Sequence, residues 1–161
     1  MMDKSKQKAD FPEPLQAVES FSFDSHPLFK LLDLKVKDMS SEKVSVCATL
    51  AEDFEFEENS SLLHTGVFTI ILDSVFGFAV LSKLKNLQSI ATINLKTEYI
   101  VPASSGAQVF CEASCYAICG DIAHVRGEIY DSSKEHVLAT ATAAFMIGTR
   151  GPGLIMQNRG K

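Results

Sequence analysis

Residues 66–81 of this chain, GVFTIILDSVFGFAVL, decide its fold. Apolar side chains occur almost all round a helix built on this stretch, and the pattern extends over about Thr65 to Leu84. A helix that is apolar on nearly every side is buried on most sides rather than lying at a surface. We therefore expect this helix to form the centre of the fold.

Asp73 is the only ionisable residue in this stretch. An ionised carboxylate left unpaired in an apolar medium is so costly that the group normally gains a proton or a partner. Asp73 is therefore our leading candidate for an active-site residue. The alternative is a structural carboxylate that caps a neighbouring backbone or holds a helix pair in register.

Strand patterns flank the central helix. A short amphipathic helix is predicted over residues 26–32, with Ser25 as its cap and Pro27 at an early helical position. Alternating apolar and polar residues predict a hairpin over residues 34–37 and 43–50. Four further strands are predicted over residues 89–99, 107–119, 123–131 and 137–147. One buried helix and a continuous antiparallel sheet make an α+β layout.

Length and composition fit one domain. The chain has 161 residues, 46% of them hydrophobic, which is enough to bury a core. We expect residues 1–20 to form a disordered N-terminal segment, residues 21–148 the domain, and residues 149–161 a flexible tail that is basic and rich in glycine.

The net charge of -5 argues against a nucleic-acid or membrane partner, because both need a concentrated basic face. The first ten residues lack the apolar core of a signal peptide, and the apolar run around Asp73 falls short of the roughly 18 residues of a spanning helix. We expect a soluble, cytoplasmic protein.

Cys111, Cys115 and Cys119 lie four residues apart on one predicted strand. Successive Cα atoms would then be roughly 13 Å apart, at about 3.3 Å per residue. Disulfide Cα separations stay below about 7 Å, so neither a disulfide nor a shared metal fits within that strand. We expect reduced packing cysteines and no metal site.

The segment His64-Thr65-Gly66, followed by Asp73 nine residues after the histidine and then by Gly77, resembles the signature of hotdog-fold acyl-CoA thioesterases of the phenylacetate-pathway (PaaI-like) branch. The resemblance covers roughly residues 26–148. It implies a hotdog fold, in which a curved antiparallel sheet wraps a long central helix. It also implies homo-oligomers, as dimers and often as dimers of dimers.

The resemblance implies a thioester hydrolase that needs no cofactor, since coenzyme A is part of its acyl-CoA substrate. Asp73 would act as general base toward water or as nucleophile on the thioester carbonyl. The backbone N–H groups of Thr65 and Gly66 would form the oxyanion hole, as the unpaired donors and positive dipole end of a helix start allow. Thr65 and Asp73 are about 12 Å apart along a helix, so we expect the site at a dimer interface.

Three further residues resemble family positions. Asn59 corresponds to an asparagine that orients the attacking water or the carbonyl. Thr92 corresponds to a Ser or Thr that hydrogen-bonds near the aspartate, or it is simply a β-branched strand residue. For His64 we favour fixing the turn into the helix over proton transfer.

Ile70, Phe76 and Gly77 lie one helical turn from Asp73 and are predicted to border the acyl tail. Core or interface packing is the alternative, and for Ile70 we favour it. Two departures from the family pattern bear on activity: Thr65 replaces a usual glycine, and Asp121 replaces a frequent basic residue near the coenzyme A phosphates. The candidates for phosphate contacts are Lys96, Arg126, Lys134 and Arg150, and the alternative is that these side chains are simply solvated.

The sequence thus favours an acyl-CoA thioesterase that releases a carboxylic acid and free coenzyme A. The alternative is a non-catalytic acyl-CoA-binding module, a sensor or carrier, on the same fold. A related hotdog dehydratase is a third possibility, although those enzymes generally use a catalytic histidine in another arrangement.

Overall fold

The structure, a computed structural model, describes residues 26–58 and 60–150. A short helix α1 (Pro27–Leu31) precedes strands β1 (Lys35–Met39) and β2 (Val44–Thr49), and the long helix α2 follows (Gly66–Lys83). The chain then forms β3 (Ile90–Tyr99), β4 (Gln108–Cys119), β5 (Ile122–Tyr130) and β6 (Val137–Ile147). These elements confirm the predicted order of helices and strands.

The six strands form one antiparallel sheet in the order β1-β2-β4-β5-β6-β3. Helix α2 packs along one face of this sheet and contacts every strand from β2 to β6. The fold is therefore the α+β hotdog arrangement that the sequence predicted. Strand β3 stands at one edge, with a neighbour on one side only.

The buried side chains of α2 form the centre of the core. Phe68, Ile71, Val75 and Phe76 are each at most 1% exposed. The helix has a mean hydropathy of 1.6 over 18 residues, so it is long and apolar enough to cross a membrane, and the expectation that this run is too short was wrong. Because 61% of this 18-residue window is buried inside the protein, α2 is the core helix of a globular domain.

Gly127 of β5 lies directly over Phe76 of α2. A Cβ atom at this glycine would come within 2.6 Å of Phe76 Cε1 and 2.4 Å of the Glu112 carbonyl oxygen. Neither a buried ring nor a strand backbone moves away easily, because interiors are close-packed. Only glycine therefore fits at this contact between helix and sheet.

We expect Gly127→Ala to lower the free energy of unfolding by about 2 kcal/mol, the typical scale for an overpacked core. Urea unfolding followed by circular dichroism measures the change. Gly77→Ala is the matched control, because its new methyl group would meet only Ile90 Cδ1, at an ordinary 3.7 Å. Alanine in a helix interior is favoured over glycine, so this control should not lose stability. Equal losses in both variants would contradict the proposed clash.

The cap position of α1 differs from the prediction, and some other predicted features lie outside the described residues. Helix α1 is preceded by His26, which has extended backbone angles and no side-chain cap, and Pro27 does lie at its first turn. The predicted cap Ser25 lies outside the described residues, as do the predicted N-terminal segment (residues 1–20) and the tail from residue 151.

The cysteines pack as single thiols. Cys47, Cys111 and Cys115 are buried, whereas Cys119 is exposed, and none forms a disulfide. A β-bulge between Cys115 and Ala117 breaks the alternation of β4, so Cys119 does not share the buried face of Cys111 and Cys115. Burial raises the pKa of the Cys111 and Cys115 thiols, which therefore stay protonated.

Candidate active site

Asp73 lies in the middle of α2 and is half-buried. Its Oδ1 accepts a 2.8 Å hydrogen bond from the Thr92 hydroxyl of β3. Among residues 26–58 and 60–150, no lysine, arginine or histidine forms an ion pair with it. The carboxylate therefore has a hydroxyl partner from the neighbouring strand and remains open to solvent on its other side.

A β-bulge in β3 lets Thr92 reach the helix. Thr92 pairs with Phe145 of β6, and Asn94 pairs with Ala144, the very next position along β6. Ile93 is therefore an extra residue without a partner on the neighbouring strand. Bulges of this kind occur near active sites, where they re-aim side chains.

A hydroxyl cluster one helical turn earlier shows how the bulge acts. Thr69 of α2 lies 2.6 Å from the Tyr99 hydroxyl and 3.4 Å from the Thr97 hydroxyl. Thr97 and Tyr99 thus face the helix, and both have odd numbers. If β3 alternated regularly from these residues, Ile93 would face the helix and Thr92 would face away from it. Because the bulge accommodates Ile93 as an extra residue, the Thr92 hydroxyl rather than the apolar side chain of Ile93 faces Asp73. The strand pattern alone did not identify Thr69, Thr97 or Tyr99, because it does not say which hydroxyls face the helix.

At the start of α2, one backbone N–H group has no hydrogen-bond acceptor among the described residues and the next one is already hydrogen-bonded. Thr65 precedes the helix with φ -59° and ψ -21° and makes no side-chain cap. In the described part of the chain, no acceptor bonds the Thr65 N–H. The Gly66 N–H, by contrast, donates to His64 Nδ1 at 3.1 Å. Of the two amides predicted as oxyanion donors, only that of Thr65 is available in this structure.

His64 tightens the turn into α2. Its ring lies nearly parallel to that of Phe56, with the centroids 5.9 Å apart and an interplanar angle of 16°. The backbone N–H of His64 donates to the Phe54 carbonyl oxygen at 2.8 Å. A Cβ atom on Gly66 would lie 2.9 Å from His64 Nδ1, so a glycine makes room for the ring.

The remaining predicted site residues differ in how far they are buried. Asn59 lies outside the described residues. Phe76 is fully buried beneath Gly127, so the prediction that it borders an acyl tail is corrected to core packing, the alternative left open. Gly77 is half-buried and faces Ile90, and Ile70 is 37% exposed.

One face of α2 is not covered by its own sheet. Exposed or half-buried positions recur every three or four residues along the helix, which is the spacing of a single helical face. From residue 66 to residue 77 they are Gly66, Thr69, Ile70, Asp73, Ser74 and Gly77. Asp73 therefore lies on a continuous strip that remains open beside the edge strand β3.

The candidate phosphate contacts are mostly engaged elsewhere. Lys134 pairs with Glu112 at 2.8 Å, and Lys96 pairs with Glu98 at 2.8 Å. The Arg126 guanidinium lies 5.6 Å from the centre of the Tyr116 ring. Asp121 and Arg150 are exposed. None of these contacts involves Asp73.

A cavity of about 730 Å³ lies on the sheet face that carries Glu112 and Arg126. None of the predicted catalytic or acyl-pocket residues lines it, whereas the candidate phosphate contact Arg126 does. In the part of the chain that the structure describes, no three His, Cys, Asp or Glu side chains are grouped as metal ligands would be. No residue of α2 lines this cavity.

Residues 61–137 match the family model of the thioesterase superfamily. The matched region contains α2 with Asp73, the start of that helix, and strands β3 to β5. This chain has the hotdog fold and is similar to the thioesterase superfamily over residues 61–137. No curated protein sequence matches it.

Solved structures share the fold of this hotdog protein at low sequence identity. A thioesterase family protein from Silicibacter pomeroyi is 20% identical, with a TM-score of 0.72, and the match covers 83% of this chain and 97% of that one. A phenylacetic-acid-degradation-related protein from Ralstonia eutropha is 21% identical, with a TM-score of 0.63 and coverage of 71% and 85%. A hypothetical thioesterase from Streptococcus pneumoniae, solved with coenzyme A, is 14% identical, with a TM-score of 0.64 and coverage of 73% and 91%.

Proposed function

We propose that this hotdog protein is an acyl-CoA thioesterase, which hydrolyses a thioester to a carboxylic acid and free coenzyme A. The observation that carries the proposal is Asp73, a half-buried carboxylate held by the Thr92 hydroxyl on the open face of the core helix. The coenzyme A in the similar Streptococcus pneumoniae structure supports coenzyme A as the leaving group.

Asp73 has two chemically complete routes to the product. As a general base it takes a proton from water while the water oxygen attacks the acyl carbon. As a nucleophile it attacks that carbon itself, and water then cleaves the resulting anhydride. In both routes the carbon–sulfur bond breaks and the thiolate takes up a proton. Neither route draws on a cofactor, since coenzyme A belongs to the substrate.

The Thr65 amide is the proposed oxyanion donor. It is unpaired among the described residues and lies at the positive end of the dipole of α2. Thr65 and Asp73 are eight residues apart, about 12 Å along the helix, so one copy of the chain does not present both to one carbonyl. We therefore infer that two copies share each site, the helix start of one facing Asp73 of the other.

The edge strand supports this pairing. Strand β3 carries unpaired backbone groups on its free side, and such edges readily pair with another strand. Exposed apolar side chains surround it: Ile93 is 51% exposed and Tyr99 is 47% exposed. Ile70, on the open face of α2, is 37% exposed. A second copy pairing along β3 would cover these side chains.

A coenzyme A release assay with a thiol reagent, run across short, long and aryl acyl-CoAs, tests the proposed function. Turnover of any of these thioesters is the expected result, and the preferred one names the acyl class. No turnover, with binding of acyl-CoA still detectable by thermal shift, would instead favour the binding module. The Thr65 side chain beside the open amide is the feature that would account for lost activity.

We expect Thr92→Val to lower kcat by about 10- to 100-fold, because hydrogen bonds to charged groups are worth about 1.5–3 kcal/mol. The substitution is nearly isosteric and leaves Asp73 without its hydroxyl partner. Thr92→Ser keeps that hydroxyl and should retain most of the activity. If valine and serine variants turn over equally, the bond between Thr92 and Asp73 has no part in hydrolysis.

A further inference from the structure

The outer face of the sheet, which is the face turned away from α2, carries its charges in two separate rows. Ala113 and Ala141 are buried, and the Cβ position of Gly127 meets Phe76, so these three small residues of β4, β5 and β6 face the helix. Side chains alternate between the two faces of a sheet, so the residues that flank them along each strand face outward.

The strand register sets the members of each row. Across β4, β5, β6 and β3, the acidic row consists of Glu112, Glu128, Thr140 and Glu98, and the basic row consists of Ser114, Arg126, Thr142 and Lys96. The acidic row contains no cation, and the basic row contains no carboxylate. The cavity of about 730 Å³ is lined by the members of both rows on β4, β5 and β6 and by the small residues between them.

The two charges at the centre of these rows lack an oppositely charged partner. Within the described part of the chain, neither Arg126 nor Glu128 forms an ion pair. Glu128 accepts a hydrogen bond from the Tyr130 hydroxyl and lies directly opposite Glu112 on β4. Like charges directly opposite one another destabilise a sheet. A positive group brought over Glu128 would therefore relieve a repulsion that a single chain leaves in place.

A second copy of the chain supplies both missing charges at once. Half a turn about an axis that runs across the strands along Ala113, Gly127 and Ala141 places the acidic row of one copy over the basic row of the other. Arg126 of each copy then faces Glu128 of the other. Sheets packed face to face lie about 10 Å apart, a gap that an arginine and a glutamate side chain span together.

The charge pattern also selects this orientation over the other symmetric one. Half a turn about an axis along β5 would place Glu128 over Glu128 and Arg126 over Arg126. Like charges brought together across an interface are repulsive, whereas complementary charges fix its register. Only the axis across the strands therefore gives attraction at both positions.

We propose that the outer sheet face is an interface between two copies of this chain, held by reciprocal ion pairs between Arg126 and Glu128. Arginine and carboxylate form short, bidentate hydrogen bonds, which suits a contact repeated twice about one axis. The interface lies on the opposite side of the sheet from α2, so it can form together with the pairing along β3. It therefore doubles the assembly that the β3 edge makes.

Charge reversal tests this pairing. Arg126→Glu and Glu128→Arg each bring like charges together twice in one interface, so we expect each variant to have half the mass of the wild type by light scattering after gel filtration. The double variant restores opposite charges across the axis and should regain the wild-type mass. Lys30→Glu is the matched control, because it makes the same change of charge at an exposed position on α1 and should leave the mass unchanged.

Circular dichroism and thermal melts of the same samples show whether each variant is folded. A wild type with the mass of a single chain would overturn the inference. So would folded single variants that keep the wild-type mass, or a folded double variant that stays at half of it. These masses do not depend on turnover, so they decide the interface whether or not the protein hydrolyses a thioester.

Neutral substitutions keep the test open if a reversed variant does not fold. Arg126→Gln and Glu128→Gln each leave one charge of the pair covered and unpaired, so we expect the association to weaken about 100-fold in a dilution series. Unchanged association in both folded neutral variants would overturn the inference.

Discussion

Asp73→Asn is expected to lower kcat about 100-fold or more while the protein keeps its fold. An amide neither takes a proton from water nor attacks a thioester carbonyl, and loss of general acid-base help costs about 10²–10⁴ in rate. Asparagine still presents an oxygen to the Thr92 hydroxyl, which now lies 2.8 Å from Asp73 Oδ1, so the tie between helix and strand persists. Coenzyme A release measures the rate, and circular dichroism and gel filtration report the fold and assembly.

Ser74→Ala is the matched control for this variant. Ser74 follows Asp73 on the same helix and donates to the Ile70 carbonyl at 2.9 Å, a local bond that an alanine can forgo. We expect its kcat to stay within about twofold of the wild type, the range of substitutions away from special features. Unfolding of Asp73→Asn would point to the structural carboxylate instead. A folded Asp73→Asn with full activity would remove Asp73 from the mechanism.

Thr65→Pro is expected to lower kcat about 100-fold, because it deletes a single backbone donor. Removal of one oxyanion donor typically costs about 10²–10³ in kcat. Thr65 has φ -59°, which lies within the range that proline enforces, and proline is favoured at the start of a helix. The variant should therefore fold with a Tm close to that of the wild type. The coenzyme A release assay gives kcat, and a thermal melt confirms the fold.

Thr65→Gly provides the comparison, since it keeps the N–H and removes only the side chain. We expect kcat/KM at or above that of the wild type, because the approach to the amide becomes less crowded. Full activity in Thr65→Pro would mean that another group stabilises the oxyanion. Equal loss in the proline and glycine variants would assign the effect to the Thr65 side chain rather than to its amide.

The fold was predictable because its main signals are local. The apolar stretch around Asp73 and the alternating strands are both read within about ten residues, and the structure places helix and strands at nearly the predicted bounds. The lone carboxylate also stood out from sequence, because its cost in an apolar setting does not depend on tertiary detail.

The details of the site depend on contacts between distant segments, which local patterns do not report. Helical spacing placed Phe76 near Asp73, but it does not show how far the sheet wraps the helix. In the structure Phe76 is fully buried, and Gly127 packs against its ring. The bond from Gly66 to His64 depends on a turn whose geometry no pattern in the sequence specifies. The occupied Gly66 amide was missed for the same reason.

The bulge in β3 bears on how relatives of this chain are to be sought. Thr92 follows Asp73 by 19 residues, and Ile93 is absorbed between Thr92 and the regular part of the strand. A chain without the extra residue would keep regular alternation and still turn the same hydroxyl toward the helix. The number of residues between the Thr92 hydroxyl and the end of β3 can therefore differ by one while the hydrogen bond to the Asp73 carboxylate is preserved. A search pattern that requires a single fixed distance along this strand would overlook sequences that build the same carboxylate and hydroxyl pair without the bulge.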